Sequence, residues 1–518
     1  MHDSYNKYTA VAVSVFFVAW SIIILGKLFS LHSYVFDLGF VAERLWQPYN
    51  IVNASFYQFL FFNSAFQFVL SPVYFFHNLI AILFAQLILF TASVYPLYRI
   101  ASEKLGKPYY AMLVSVTFLL YFPASGILWF DVHFQSFFVP IFIFAYYFYT
   151  KEKYLAAAFL FILSGTVRFP YMILPFLFSF MELSMILIKR KKSFDKRRVY
   201  ANAAVIISAT FILAGGFYYN VISASPVFLA QASSTYPERI TTLFLTVLAI
   251  MGPLLFLPLT RIRWLILSLP FFVLGLYTGS ANYTFPTVMS LQYTSMIVPI
   301  AFLGFIEAVG ARSLAEGHAY ENIQRFLKKF SNAKLFRSFK FIIKDKKKVI
   351  LGTTICIVVV GSIFYQPYGP LNDKSNLQYH FTNDVGFNTT NYATLQKLVK
   401  MVPKNDPYVL FQNDMPEMLP RPGIGQISFL FSTYISSTTN LGDVINNTFP
   451  LISPVFLNGQ HIESIKVDYL LAFSNTSSYT LQFSIQEVTM KHLVKLSLDS
   501  GKYTTLAEEN GFILLKRE

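Results

Sequence analysis

The segment Tyr8–Gly26, YTAVAVSVFFVAWSIIILG, decides the fold class of this chain. It contains no charged residue, and its length suits one helical crossing of a bilayer core, which takes about 20 apolar residues. Because the segment is rich in large side chains and is not followed by a small-residue cleavage site, it differs from a signal peptide. We therefore interpret it as a retained membrane span.

The composition of the whole chain agrees with this interpretation. Of 518 residues, 55% are hydrophobic and 13% are charged, and the mean hydropathy is +0.50. Soluble proteins carry about twice that charged fraction. We predict an all-α polytopic bundle over residues 1–365, with about eleven transmembrane helices identified by the length of their apolar runs. The predicted spans are 8–26, 77–98, 109–122, 134–150, 154–167, 169–188, 200–220, 239–258, 264–278, 291–311 and 349–365.

The net charge of +15 is concentrated in short connectors between apolar runs, chiefly Lys189–Arg198 and Arg312–Lys348. This pattern indicates positive-inside topology and contact with anionic lipid, and not a nucleic-acid partner. It predicts a cytoplasmic N-terminus and a multi-pass protein of the cell membrane. The single cysteine, Cys356, excludes a disulfide framework within the chain.

Successive connectors between spans lie on alternating sides of the membrane, so the same assignment places several loops outside the cell. Five N-glycosylation sequons fall on that predicted side. A cell surface that glycosylates asparagine is therefore expected. The acceptor residues are Asn53, Asn282, Asn388, Asn446 and Asn475.

Residues 366–518 have a different composition, richer in Asn, Asp, Ser, Thr and Pro. Helical and strand patterns alternate there, which predicts an extracytoplasmic α/β domain. The predicted helices are 392–402 and 483–497, and the predicted strands are 408–412, 467–473 and 512–515.

The stretch Lys27–Trp46, KLFSLHSYVFDLGFVAERLW, follows the first span and is too polar to cross the membrane. From Leu38 its apolar residues have helical spacing, which predicts a short helix in the membrane interface. Asp37 comes just before this helix. It is either an N-cap or a functional group, as a general base or as the ligand of a Mg²⁺ or Mn²⁺ ion.

Two further sites carry chemistry outside the spans. Asp131 and His133 lie in the second external loop, as either a polar turn anchored by Trp129 or a second acid and proton carrier facing the cavity of Asp37. Arg168 lies between two short spans, where a cation is costly unless it is paired or hydrated. It either binds a lipid-linked phosphate or extends to the external surface.

The stretch FDLGFVAERLW resembles the FDLG…LW signature of the domain-of-unknown-function 2079 membrane proteins. The resemblance extends over nearly the whole chain, through motifs in the same order as in that family. These motifs are SPVYFF, YPLYRIA, WFDVHFQSFFVPIFIFAYYFY, TVRFP, LQYTSMIVPIAFL and GFILLKR.

That family looks like the glycosyltransferase C (GT-C) superfamily, whose members share a many-span bundle, an acid in the first external loop and polyprenyl-phosphate sugar donors. The resemblance therefore implies an enzyme that moves a sugar from such a donor to an extracytoplasmic acceptor. Asp37 would be its functional acid. The implied substrate-binding residues are Arg168, Asp131, His133, Gln292 and Tyr293.

The chain departs from the family pattern at three places. The family often has a histidine where this chain has Phe62 or Asn63, an acidic pair at 168–170, and His-Tyr where this chain has Gln292 and Tyr293. These departures support an alternative, a non-catalytic relative that acts in cell-envelope assembly or partner binding. A small-solute transporter is a third hypothesis. It has weaker support because that class has inverted repeats with Gly/Pro-broken helices in matching halves, and a large external tail is unusual for it. The sugar, the acceptor, the metal and the oligomeric state do not follow from the sequence.

Overall fold

A computed structural model describes residues 2–31, 41, 64–76, 79–188, 195–218, 236–278, 287–289, 292–311, 346–371, 385–387, 389–403, 408–411, 425–428, 449–450, 464–465, 468–474 and 484–518. Most of these residues are helical. The α-helices are α1 (His2–Phe29), α2 (Ser64–Leu70), α3 (Leu79–Ala92), α4 (Val94–Leu105), α5 (Pro108–Leu120), α6 (Ser125–Trp129), α7 (Phe138–Thr150), α8 (Tyr154–Gly165), α9 (Ile173–Ile188), α10 (Lys196–Phe217), α11 (Tyr236–Met251), α12 (Ile262–Thr278), α13 (Val298–Gly310), α14 (Lys346–Tyr365), α15 (Thr390–Met401) and α16 (Ser484–Asp499).

Within the described residues, five helical segments are long and apolar enough to cross a membrane. A sixth is added if 108–120 and 122–129, which meet at a 50° bend, form one span. Four shorter apolar helices accompany them, at 134–150, 154–165, 262–276 and 298–310. The structure thus has several apolar membrane-type helices, and the count of eleven spans stays a prediction.

Two predicted spans begin or end elsewhere for local reasons. The span expected at 239–258 is α-helical only to Met251, because Gly252 and Pro253 follow and Leu255 and Phe256 take positive φ angles of 56° and 55°. The span expected at 291–311 starts as a 3-10 helix, 292–296, and becomes α-helical only at Val298. Proline and left-handed residues interrupt the backbone hydrogen bonds of a regular helix.

Helix α1 has one exposed apolar face and one face buried against other helices. Along α1, Val11, Val15, Val18 and Ile22 are exposed at helical spacing, whereas Trp20 is buried. This pattern gives one face for lipid and one for protein. The buried face packs against α3 and α5, and α14 packs on another part of α5.

The C-terminal part contains the strands β1 (Tyr408–Phe411), β2 (Gly425–Ser428), β3 (Phe449–Pro450), β4 (Ser464–Ile465), β5 (Tyr469–Phe473), β6 (Tyr503–Glu509) and β7 (Phe512–Arg517). Strands β3 and β4 form a separate pair, and the other five form a sheet of order β2-β1-β5-β7-β6. Strand β1 is parallel to β2 and β5, and β7 is antiparallel to β5 and β6. Helix α15 covers one face through Leu395 and Leu398, and α16 lies against β5 and β6.

Candidate functional site

The turn that carries Asp131 is attached to the end of α1 by a buried ion pair. Lys27 Nζ lies 3.1 Å from Asp131 Oδ1, and the two side chains are 3% and 5% exposed. The same ammonium donates to the carbonyl oxygen of Trp129 and lies 4.7 Å from the centre of its indole ring. The charge of Asp131 is therefore neutralised by a residue 104 positions away. Trp129 itself is buried in the bundle, and the interfacial depth of this turn stays a prediction.

A buried glutamine in α3 holds the backbone of the same turn. Gln86 Nε2 donates to the carbonyl oxygens of Ile127 (2.8 Å) and Asp131 (2.9 Å). Its Oε1 accepts from the backbone N–H of His133 at 3.3 Å. One amide side chain thus binds three backbone groups of the irregular turn, and the Ile127 carbonyl also accepts from Ser136 Oγ at 3.2 Å. Buried backbone groups require such partners.

The backbone of the turn is left-handed at Asp131 and extended at His133. Asp131 has φ +51°, a left-handed conformation that costs energy for a residue with a Cβ. His133 is extended, its Nδ1 lies 3.0 Å from the carbonyl oxygen of Phe130, and its ring stacks on that of Phe130. Aspartate is among the residues that tolerate the left-handed region best.

Arg168 lies beside a residue singled out by the resemblance. Its guanidinium carbon is 5.6 Å from the ring centre of Tyr293, a cation–π arrangement. Gln292 is buried, and its Oε1 accepts no hydrogen bond from the residues that the structure describes. Tyr171, three residues after Arg168, shares a hydrogen bond of 3.0 Å with Ser295.

These residues belong to neighbouring segments. The 3-10 helix 292–296 packs against α6 and against the 3-10 helix 134–137, which flank the turn of Asp131 and His133. Lys27, Gln86, Asp131, His133, Arg168, Gln292 and Tyr293 are together called the candidate site below. The structure brings five of the predicted site residues to one end of the bundle, and it adds Lys27 and Gln86, which the sequence analysis did not select.

The remaining predicted residues lie outside the described part of the chain. These are Asp37 and the sequon residues Asn53, Asn282, Asn388, Asn446 and Asn475; of the predicted interfacial helix only Val41 is described. Among the described residues, no three His, Cys, Asp or Glu side chains come together as metal ligands. Since Asp131 is also neutralised by Lys27, the described residues do not fit a Mg²⁺ or Mn²⁺ ion.

A second polar cluster lies toward the other end of α7, α9 and α13. Glu182 is buried and binds two cations: Arg263 Nη2 lies 2.8 Å from its Oε1, and Arg198 Nη2 contacts its Oε2. Tyr149 also donates to Glu182 Oε2, at 2.7 Å, and accepts from Arg198 Nε at 2.8 Å. Nearby, Glu307 Oε2 accepts from Trp264 Nε1 at 2.6 Å, and its Oε1 accepts from Tyr146.

The sequence contained a signal for the residues that were missed. Gln86, Glu182 and Glu307 are strongly polar residues inside predicted apolar spans. Such residues are rare in membrane segments and usually face partners inside the bundle. What the sequence did not contain was the identity of those partners.

We expect Gln86→Leu to loosen the turn at 127–133. The leucine fills similar space but removes the amide from the Asp131 carbonyl oxygen and the His133 N–H, whereas the Ile127 carbonyl keeps its bond from Ser136 Oγ. An unsatisfied buried group costs about 1–3 kcal/mol. The free energy of unfolding in mixed detergent micelles measures the loss. Gln366→Leu is the control because Gln366 is equally buried but makes one side-chain hydrogen bond in the described structure. Equal losses in both variants would contradict a special role for Gln86.

Comparison with known proteins gives a family and similarities to solved structures. The family model described as predicted membrane protein (DUF2079) matches residues 27–235 and 215–514. Among solved structures, the chain is similar to the crystal structure of ArnT from Cupriavidus metallidurans in the apo state. That similarity has a TM-score of 0.44 and 10% sequence identity, and it covers 98% of each chain. No curated protein matches the chain.

Proposed function

The chain belongs to the DUF2079 family of predicted membrane proteins, and we propose that it acts as a GT-C-like glycosyltransferase. It moves a sugar from a polyprenyl-phosphate donor to an extracytoplasmic acceptor. The proposal includes a bundle of about eleven spans, a cytoplasmic N-terminus and an extracytoplasmic α/β domain at 366–518.

The observation that carries the proposal is that Arg168 lies beside Tyr293, in a segment that packs against the two helices flanking the Asp131 turn. Arg168 is half-buried at this end of the bundle, where its charge favours a negatively charged ligand. Its planar group donates hydrogen bonds in pairs, which suits a phosphate. A cluster of this kind at the end of the first spans supports binding of a lipid-linked phosphate.

In the proposed reaction, the carboxylate of Asp37 accepts the proton of an acceptor hydroxyl. The hydroxyl oxygen bonds to the anomeric carbon of the sugar while the bond from that carbon to the phosphate oxygen breaks. Arg168 stabilises the charge on the departing polyprenyl phosphate. The products are the glycosylated acceptor, the polyprenyl phosphate anion and a protonated Asp37, so that no redox partner is needed. Gln292 and Tyr293 line the donor, and Lys27 holds the Asp131–His133 turn.

One observation favours a second candidate, the non-catalytic relative that acts in cell-envelope assembly. Asp131, the second acid of the external loops, is neutralised by Lys27 and so acts as a structural group. If the altered positions have removed catalysis, the remaining role is binding of a partner through residues 366–518.

The test is transfer from polyprenyl-phosphate sugars by the purified full-length chain in nanodiscs. We expect transfer by the parent, and a fall of at least about 100-fold in Asp37→Asn, because a positioned general base contributes about 10²–10⁴-fold. Arg168→Ala should weaken donor binding as well. Asp195→Asn and Arg99→Ala are matched controls: Asp195 caps α10, where asparagine serves equally well, and Arg99 is an exposed residue of α4.

The outcomes separate the two candidates. Transfer that survives both Asp37→Asn and Arg168→Ala would refute the residue assignment. Donor binding without transfer in the parent, together with a protein that co-purifies through 366–518, would favour the non-catalytic relative.

A further inference from the structure

The C-terminal end of α1 contacts both the Asp131 turn and the hydrophobic core of the C-terminal sheet. Lys27 reaches the Asp131 turn on the bundle side. Four residues later, Leu31 is 2% exposed and belongs to the same hydrophobic cluster as Leu395 and Leu398 of α15 and Leu514 of β7. A residue in the turn just after the first membrane helix thus completes the core under the C-terminal sheet.

The backbone at Leu31 indicates that this contact is specific. Leu31 has φ +61°, a left-handed conformation that leucine rarely adopts. Such a conformation persists only where the surroundings compensate for its cost. Here the compensation is burial of the whole side chain between α15 and the sheet.

The segment before α15 also completes the last turn of α1. The carbonyl oxygen of Gly26 accepts from the backbone N–H of Gly386 at 3.2 Å, in addition to the N–H of Ser30 at 3.0 Å. Phe29 meets Tyr392 edge-to-face with ring centres 5.4 Å apart. A Cβ added at Gly26 would overlap Val385, so the close approach requires glycine there.

We infer that the C-terminal sheet and the candidate site form one cooperative unit, joined at Gly26–Leu31. Leu31 is a positioning residue: it fixes the last turn of α1, and that turn fixes Lys27, which holds the Asp131 turn. By thermodynamic reciprocity, whatever stabilises the turn also stabilises the sheet, and whatever loosens the sheet loosens the turn. The inference does not depend on the proposed reaction.

Hydrogen–deuterium exchange of the full-length chain in nanodiscs tests the coupling without an activity assay. Leu31→Ala removes the side chain from the sheet core. We expect exchange on the order of tenfold faster in α15, β5 and β7, and a parallel increase of at least about threefold in residues 125–137, since local opening reflects local stability. Ile22→Ala, which truncates an exposed aliphatic residue of the same helix, should change neither region.

A second pair of variants tests the contact between α1 and the C-terminal part at Gly26. Gly26→Val forces Val385 away from α1, whereas Gly352→Val places the same side chain in helix α14, where an added Cβ meets no atom within 4 Å. The first should reproduce the Leu31→Ala pattern and the second should not. In all variants, residues 146–150 and 262–268 serve as an internal reference for global unfolding.

The coupling is refuted if Leu31→Ala accelerates exchange in the sheet but leaves 125–137 unchanged. It is also refuted if exchange changes nowhere, since Leu31 would then not anchor the sheet. Should Gly26→Val fail to fold, Leu31→Ala alone decides, because alanine at position 31 introduces no steric clash.

Discussion

Replacing Lys27 with alanine is expected to lower the free energy of unfolding by about 3–5 kcal/mol, the cost of breaking a buried ion pair by removing one partner. The variant withdraws the ammonium that lies 3.1 Å from Asp131 and leaves a 5% exposed carboxylate without that compensation. It also removes the donor to the Trp129 carbonyl and the cation above the indole ring. Unfolding in mixed detergent micelles gives the magnitude.

Lys397→Ala is the matched control for this prediction. Lys397 also pairs with a carboxylate, Glu509, but the two side chains are 65% and 39% exposed. Exposed pairs contribute about 0–1 kcal/mol, because water screens them and both long side chains lose freedom. Equal losses in the two variants would mean that burial of the Lys27–Asp131 pair has no energetic consequence.

A double variant separates the charge from the packing. Lys27→Met combined with Asp131→Asn removes both charges and keeps most of the volume, and asparagine tolerates the left-handed conformation of position 131. Replacing a buried pair by neutral groups is often close to neutral in stability. We therefore expect the double variant to be more stable than Lys27→Met alone, which a double-mutant cycle measures.

Replacing Glu182 with alanine is expected to cost about 3 kcal/mol, the lower end of the range for buried pairs. The estimate is low because its partners Arg198 and Arg263 keep 34% and 21% of their side-chain exposure, so water offsets part of the loss. Glu182 joins α9 to the start of α10 and the start of α12. Its loss leaves two guanidinium groups near each other and removes the acceptor of Tyr149.

The control for Glu182 is Glu103→Ala, which breaks the exposed pair of Glu103 with Lys151. That change should cost less than about 1 kcal/mol. Arg263→Met tests whether Glu182 is shared: the Arg198–Glu182 pair remains, so the loss should be smaller than for Glu182→Ala. An equally large loss for Arg263→Met would show that Glu182 is not the centre of the cluster.

The sequence allowed the helical character of the bundle and several elements of the C-terminal part to be predicted. Tyr8–Gly26 lies within α1. The helix expected at 392–402 forms at Thr390–Met401, and the strand expected at 467–473 forms at Tyr469–Phe473. These elements follow from local periodicity, which the chain encodes within a few residues. Strands β2 and β6 were missed because their short or polar sequences have a weak pattern.

Arg168 shows how far sequence reasoning reaches at the site. The sequence analysis selected Arg168 because a cation at membrane depth costs free energy, and it selected Tyr293 from the family resemblance. That the two side chains meet was a fact of the fold, because they are distant in sequence and on different segments.

The sequence by itself determined that the chain belongs in a membrane, since long uncharged apolar runs have few other stable environments. The tertiary structure alone decided that Lys27 neutralises Asp131 and that Gln86 holds the turn that carries Asp131. It also decided that Leu31 packs into a hydrophobic core formed by residues more than 350 positions further along the chain. The reason is that a polar group buried inside a bundle requires a hydrogen-bond or ion-pair partner. The sequence shows which residues require one but not which residues provide it. Only the packing of the helices brings the partners together.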